Sequence, residues 1–509
     1  MRRHFSFLFV LLLVARPVFA ADPPGKVVLE TWEAAYLNGG KAGFVHTLVR
    51  AIEKDGQKLL HTTAELDLTV KRFNDTARIY MESGTDETED GIVTGVSMRQ
   101  LIAKGQELVL TGTVEDGQLH VKLQGGPPMD KKIRWSPQVV GLYREQTIYQ
   151  DKKVKPGDQF SYLHYEPLVN AVLSIKVEVK DSEEVSIRGG AKQRLLPVEA
   201  TPEPIAGVQL PGTKLWLDKD LNVIRSLMQM EGMGELELVR TTKAVALKKG
   251  QGGGDISERQ LIYLNKAIPR NPDQVVYRIT LAEDKDPATS FARDDRQQVK
   301  NAQGKSFELH VQSIRRPESS KKDAKVADEF LKSNYFINCD DEKVQELARE
   351  AVGGEKDSWR QAQRIERWVR DHMKIQNYSE AMATADHVAR SLEGDCTEYA
   401  MLAAAMCRAV HVPSRTAVGL IYAVMGGRPT LAYHMWTEVW VNGQWLALDA
   451  TLGRGSVGAD HLKITDHSWD GVQSVVPLLP VTRVILGKPE VKVLRITEVN
   501  ESSAGTRNR

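Results

Sequence analysis

Three residues in the second half of the chain could together perform thiol chemistry: a cysteine, a histidine and an aspartate. Cys396 lies in "GDCTEYA", where Asp395 followed by Glu398 has the pattern of a helix capping box. Cys396 would then be the first helical residue, where free backbone N–H groups and the helix dipole favour a thiolate. The Asp395 carboxylate opposes this effect, and a lone cysteine on a helix rich in alanine and methionine is more often core packing.

The histidine and the aspartate flank a hairpin signal in "YHMWTEVWVNGQWLALDAT". Asn442-Gly443 predicts a two-residue turn, which places Trp436 opposite Asp449. His434 shares the face of Trp436 and therefore stands diagonally across from Asp449, about 7–8 Å away at the backbone. The turn predicts a His434–Asp449 pair, whereas a three-residue turn would break the register.

A cysteine at a helix start, a histidine on a strand and an acid on the adjoining strand are the parts of an acyl-transfer site. Cys396 would attack a carbonyl, His434 would take and return the proton, and Asp449 would hold the imidazole tautomer. The backbone N–H of Cys396 is the first oxyanion donor. The second donor stays open, with Asn377 and Tyr378 as candidates.

From about residue 326 to 451 the sequence resembles the bacterial transglutaminase-like superfamily, whose architecture is papain-like. The resemblance rests on "GDCTEYAMLAAAMCRA", "VPSRTAVGL", the hairpin segment and the downstream "GADHLKI". It implies a cysteine acyltransferase or a cysteine protease or amidase, with Cys396, His434 and Asp449 as catalytic residues and with no metal or cofactor.

Three positions depart from the family pattern. Met435 stands where a small residue is usual and could narrow the substrate cleft, and Ala450 stands where proline is usual. His411 replaces a usual glycine, which costs up to about 1–2 kcal/mol if that residue must be left-handed. Two other histidines, His461 and His467, lack a metal-binding sequence context and are expected to be solvent-facing or packing residues.

The fold class predicted is α+β, with a papain-like transglutaminase core preceded by all-β structure. Frequent turn signals and alternating polarity indicate antiparallel sheet over most of the first half. The expected organisation is a signal peptide (1–20), an antiparallel β-sheet domain (21–248), a glycine-rich linker (249–255), a small β-sandwich-like domain (256–320), a transglutaminase-like catalytic domain (321–492) and a C-terminal tail (493–509).

The first twenty residues have the organisation of a secretory signal peptide. Arg2 and Arg3 precede an apolar run from Phe5 to Ala15, and residues 18–20 resemble a cleavage site. The apolar run is too short to span a bilayer, so the expected location is the periplasm or the cell exterior. Three cysteines in an oxidising compartment leave at least one thiol unpaired unless it bonds another chain.

Charge and composition narrow the function further. With 68 basic and 67 acidic residues the formal charge is +1, which does not indicate nucleic-acid binding. The sequence predicts an exported thiol enzyme acting on a peptide or glutamine amide, with an amine or water as acceptor. The alternative is a non-catalytic cell-envelope module that binds peptides or proteins. Neither the choice of acceptor nor the oligomeric state follows from the sequence.

Overall fold

The computed structural model describes residues 25–498, apart from 73–74, 104, 125–130, 189, 206, 231, 251–252, 254, 257–260, 319–324, 376–381 and 472–475. The expected signal peptide and the two candidate oxyanion residues, Asn377 and Tyr378, lie outside the described residues. Within them, no helix combines the length and apolar character needed to cross a membrane. The predicted α+β class is confirmed, with sheet first and helices later.

The N-terminal half forms one sheet of sixteen strands. These strands are β1 (Lys26–Leu37), β2 (Gly40–Lys54), β3 (Gln57–Arg72), β4 (Asp75–Thr88), β5 (Val93–Ala103), β6 (Gln106–Glu115), β7 (Gln118–Gln124), β8 (Lys131–Arg134), β9 (Val139–Val140), β10 (Gln159–Glu166), β11 (Ala171–Val179), β12 (Glu183–Ser186), β13 (Lys192–Pro202), β14 (Thr213–Leu217), β15 (Val223–Met230) and β16 (Gly234–Thr241). Two helices accompany them, α1 (Leu142–Asp151) and α2 (Lys243–Ala246).

The sheet is built from two meanders that meet in its middle. Strands β2 to β8 follow β1 in order on one side, while β16 pairs with the other edge of β1 and leads through β15 to β9. Asn38, Asp55 and Asp116, each followed by glycine in a turn between two strands, all have positive φ, as tight hairpin turns require. Within β3, Leu68 and Val70 are buried while Thr69 is exposed, so the alternating pattern sets the two faces.

The C-terminal half packs helices against smaller sheets. Its helices are α3 (Glu342–Val352), α4 (Ser358–His372), α5 (Ala385–Ser391), α6 (Cys396–Ala409) and α7 (Leu479–Leu486). Its strands are β17 (Leu261–Tyr263), β18 (Gln274–Leu281), β19 (Gln297–Gln303), β20 (Ser306–Gln312), β21 (Lys374–Ile375), β22 (Glu393–Gly394), β23 (Ser414–Met425), β24 (Arg428–Val441), β25 (Gln444–Leu448), β26 (His461–His467) and β27 (Pro489–Thr497). Helix α6 is central and contacts α3, α4, α5, β23 and β24.

Strand pairing crosses the domain boundaries that we expected from the sequence. Strand β27 continues past residue 493, where a tail was expected, and pairs with β18 in the sheet β19-β20-β18-β27. Strand β17 pairs with β24, in the sheet that also holds β23, β25 and β26. Ile279 and Phe307 share one hydrophobic cluster with Met401 of α6. The segment expected as a separate β-sandwich is therefore continuous with the core around α6, because its partner strands come from distant parts of the chain.

Candidate active site

The local sequence determines where helix α6 begins. Asp395 Oδ1 accepts a hydrogen bond from Thr397 N at 3.0 Å, and Glu398 Oε2 accepts one from Asp395 N at 2.9 Å. This is the predicted capping box, and it makes Cys396 the first residue of α6. Gly394 has φ of +150°, and a Cβ there would lie 2.4 Å from Glu398 Cβ. The glycine therefore lets the buried Glu398 fold back over the helix start.

Of the three cysteines, Cys396 alone is partly exposed. Cys339 and Cys407 are 4% and 1% exposed, and all three are free thiols. Burial raises the pKa of the Cys407 thiol to about 12, and burial also raises the pKa of Cys339. Cys407 is thus a core-packing residue, and Cys396 is the accessible thiol.

The predicted hairpin brings His434 and Asp449 together. Asn442 and Gly443 have φ of +52° and +78°, and β24 pairs with β25 in the predicted register. Asp449 follows β25 directly, and His434 Nε2 lies 2.9 Å from its Oδ2. The two-residue turn therefore places the Asp449 carboxylate beside His434, which lies fifteen positions earlier in the chain.

His434 also lies near Cys396. Its side chain is 9% exposed, and both Asp449 and Cys396 act on its ionisation. Since Nε2 faces the carboxylate, Nδ1 is the ring nitrogen left for the sulfur. Burial alone would lower the pKa of His434, yet the charges of Asp449 and Cys396 and the two hydrogen bonds raise it to about 10. The structure therefore joins His434 to Asp449 and places Cys396 close enough to affect the pKa of His434.

A second histidine binds the same carboxylate. His461 is fully buried, with Nε2 3.2 Å from Asp449 Oδ2 and Nδ1 2.8 Å from Asp460 Oδ1. Thr451 N and Oγ1 donate to Asp449 Oδ1 at 2.9 and 2.6 Å. Burial opposes ionisation, but the charge and hydrogen bond of His434 and the hydrogen bond of His461 hold the pKa of Asp449 well below its usual value. The expectation that His461 only packs or faces solvent is wrong.

A buried glutamate supports the aspartate from behind. Glu366 on α4 is 2% exposed, and its carboxylate accepts from Asp449 N at 3.2 Å and from Gly455 N at 2.7 Å. Burial raises the pKa of Glu366 to about 7. Sequence reasoning missed this residue, although a signal existed. Glu366 lies on the same helical stripe as Ala362 and Val369, where an acid is out of place.

The same cluster could in principle hold a metal ion. One ligand atom each from His434, Asp449 and His461 lie within 4.8 Å of one another. Both imidazoles, however, already hydrogen-bond to a single carboxylate oxygen. A metal would have to replace both hydrogen bonds, so the geometry favours an acid that orients two histidines.

The departures from the family pattern have structural outcomes. His411 is left-handed, with φ of +60°, as the replaced glycine implied. Met435 is 4% exposed and packs in the hydrophobic cluster of α6, on the strand face opposite to His434. Met435 therefore does not narrow the substrate cleft, and the expectation that it could is wrong. Ala450 is also buried.

Comparison with known proteins finds one family that covers part of the chain. Residues 345–450 match the model of the transglutaminase-like superfamily, a span that includes Cys396, His434 and Asp449. A search of curated proteins gave no match.

Several solved structures are similar to parts of the chain. A candidate cysteine protease from Cytophaga hutchinsonii is 15% identical over 44% of this chain and 86% of its own, with a TM-score of 0.30. A β-barrel-like protein of a domain of unknown function, DUF1849, from Brucella abortus is 13% identical over 42% and 95%, with a TM-score of 0.30. The periplasmic domain of TgpA from Pseudomonas aeruginosa, bound to ethylmercury, is 13% identical over 38% and 88%, with a TM-score of 0.27.

Proposed function

Because residues 345–450 match the model of the transglutaminase-like superfamily, we propose that the chain is an exported thiol enzyme whose substrate is a peptide or glutamine amide. Cys396 is the nucleophile, His434 the general base and acid, and Asp449 the residue that orients the imidazole. The observation that carries this proposal is the hydrogen bond between His434 Nε2 and Asp449, beside a Cys396 that is the first residue of α6 and raises the pKa of His434. Export rests on the signal peptide expected at residues 1–20.

Acylation is the first half of the reaction. The Cys396 thiol passes its proton to His434, and the thiolate attacks the amide carbonyl carbon. The Cys396 backbone N–H, at the start of α6, faces the developing oxyanion. The C–N bond then breaks, His434 returns the proton to the departing ammonia or amine, and a thioester remains. Asp449 stays ionised throughout and stabilises the imidazolium.

The acceptor that attacks the thioester during deacylation determines the type of reaction. Water attacking the thioester gives a free acid, and the protein is then a protease or amidase. A primary amine attacking it gives a new amide, and the protein is then a transglutaminase. In both cases His434 takes the proton of the acceptor, and the Cys396 thiol is regenerated.

The proposal is tested by thiol reactivity and then by turnover. In wild-type protein, iodoacetamide at pH 6.5 should label Cys396 and leave the buried Cys339 and Cys407 unlabelled, as read by peptide mass spectrometry. His434→Ala should slow labelling of Cys396 by about 100-fold or more. His467→Ala, a histidine outside the site, serves as the control. Equal rates in wild type and His434→Ala would instead support a non-catalytic binding module.

Turnover needs a second assay. A fluorescent primary amine and a glutamine-containing protein are incubated with the full chain. Incorporation of the amine identifies a transglutaminase, whereas cleavage or loss of ammonia without incorporation identifies a hydrolase. Cys396→Ala must abolish either activity.

A further inference from the structure

The tip of the β5–β6 hairpin reaches from the N-terminal sheet into the catalytic core. Ile102 O accepts a hydrogen bond from Met382 N at 3.0 Å. Gln106 Oε1 accepts from Thr384 N at 3.2 Å, while Gln106 Nε2 donates to Thr384 Oγ1 at 2.6 Å. Ile102, Met382 and Thr384 are 3%, 7% and 2% exposed, so water does not replace these bonds. The hairpin thus holds two backbone N–H groups just before α5.

The nucleophile helix holds the N–H group between them. Ala383 N donates to Glu398 Oε1 at 3.0 Å, and the other oxygen of Glu398 accepts from Asp395 N at 2.9 Å. Glu398 is fully buried. We call residues 382–384 the bridging strip, because its successive N–H groups bond the hairpin, the nucleophile helix and the hairpin again. One carboxylate therefore joins the strip to the residue that precedes Cys396.

We propose that Gln106 is a positioning residue, through which the N-terminal sheet fixes the first turn of the nucleophile helix. Buried backbone N–H groups need partners, and Gln106 supplies the partner of Thr384. Without it the bridging strip can shift, and Glu398 and Asp395 shift with it. The inference rests on the proposed function, since the nucleophile it positions is Cys396. It assigns to the sheet a role in a site whose three proposed catalytic residues all lie within 345–450.

The test uses three variants of the full chain. Gln106→Leu removes both hydrogen bonds to Thr384, whereas Gln106→Glu keeps an acceptor for Thr384 N and for the Thr384 hydroxyl. Val198→Ala destabilises the same sheet in a separate hydrophobic cluster, away from the strip. Alkylation of Cys396, measured well below the unfolding temperature, should be about 10-fold slower in Gln106→Leu. The rate should stay within about twofold of wild type in the other two.

Hydrogen exchange supplies a readout that does not depend on a reactive thiol. Gln106→Leu should speed amide exchange in residues 382–384 and in 394–398, and Val198→Ala should not. Unchanged protection of both segments in Gln106→Leu would overturn the inference. So would a Val198→Ala variant that loses reactivity to the same extent, because general loss of stability would then explain both. A wild-type Cys396 that is inert refutes the proposed function and leaves the exchange result to decide the positioning role.

Discussion

Two substitutions of His461 each remove one of its two hydrogen bonds and keep the other. The amide nitrogen of asparagine occupies the position of the histidine Nδ1, so His461→Asn keeps the bond to Asp460 and loses the bond to Asp449. The amide nitrogen of glutamine occupies the position of Nε2, so His461→Gln keeps the bond to Asp449 and loses the bond to Asp460. We expect His461→Asn to slow the alkylation of Cys396 more than His461→Gln does.

The size of the effect follows from burial and charge. His461 is fully buried, and its Nε2 lies 3.2 Å from the Asp449 carboxylate. A hydrogen bond to a buried charge contributes about 1.5–3 kcal/mol. If Asp449 needs that bond to orient His434, its loss slows the reaction of Cys396 by about 10- to 100-fold. The rate of Cys396 alkylation in His461→Gln should stay within about threefold of the wild-type rate, because this variant retains the hydrogen bond to Asp449.

The assay is the second-order rate of alkylation of Cys396, with the thermal midpoint of each variant measured in parallel. Both variants lose one buried hydrogen bond, so both should be destabilised to a similar extent. Only His461→Asn should lose reactivity. If the two variants react equally fast, or if His461→Gln is the slower, Asp449 does not depend on His461, and the reasoning is refuted.

Three further predictions concern stability. Gly394→Ala should lower the free energy of unfolding by about 2–4 kcal/mol, since the new Cβ would meet Glu398. The control Gly426→Ala places its Cβ in open space and should lower that free energy by only about 1 kcal/mol. Both values are measured by urea denaturation, and equal losses would contradict the account. Thr451→Val should cost about 1–3 kcal/mol by removing a hydroxyl from Asp449, and Thr451→Ser should restore most of it in the same assay. Glu366 has a pKa of about 7 in the folded protein, so it binds its proton more tightly there than in the unfolded chain. The contribution of Glu366 to the free energy of unfolding therefore falls as pH rises from about 4.5 to 7. The stability advantage of wild type over Glu366→Gln should therefore shrink by about 3 kcal/mol across that range, and a constant difference would refute it.

The parts of the site that sequence reasoning predicted are those set by short-range structure. The capping box lies within four residues of Cys396, and a two-residue turn fixes the distance between His434 and Asp449. In both cases local geometry leaves little choice of partner. The position of the sulfur relative to the imidazole came only from the family resemblance, because packing of α6 on β24 sets it.

The parts that sequence reasoning missed depend on contacts between distant segments. His461 begins β26, which pairs with β23 and so reaches Asp449 only across the sheet. The pairing of β27 with β18 joins strands separated by most of the catalytic region, and neither strand carries a signal for the other. The contact of Gln106 with Thr384 spans 278 positions. Local patterns contain no information about such pairs.

The meeting of β1 and β16 in the middle of the sheet has a consequence for how the chain acquires its structure. Each meander can form from neighbours in sequence, but Leu37 pairs with Leu236, about 200 residues away. Pairings of such high contact order are slow to form. Until the later meander is complete, β1 presents an unpaired edge that other chains could join. Aggregation during folding should therefore be governed by this closing step, and a permuted chain in which β16 leads directly into β1 should fold faster.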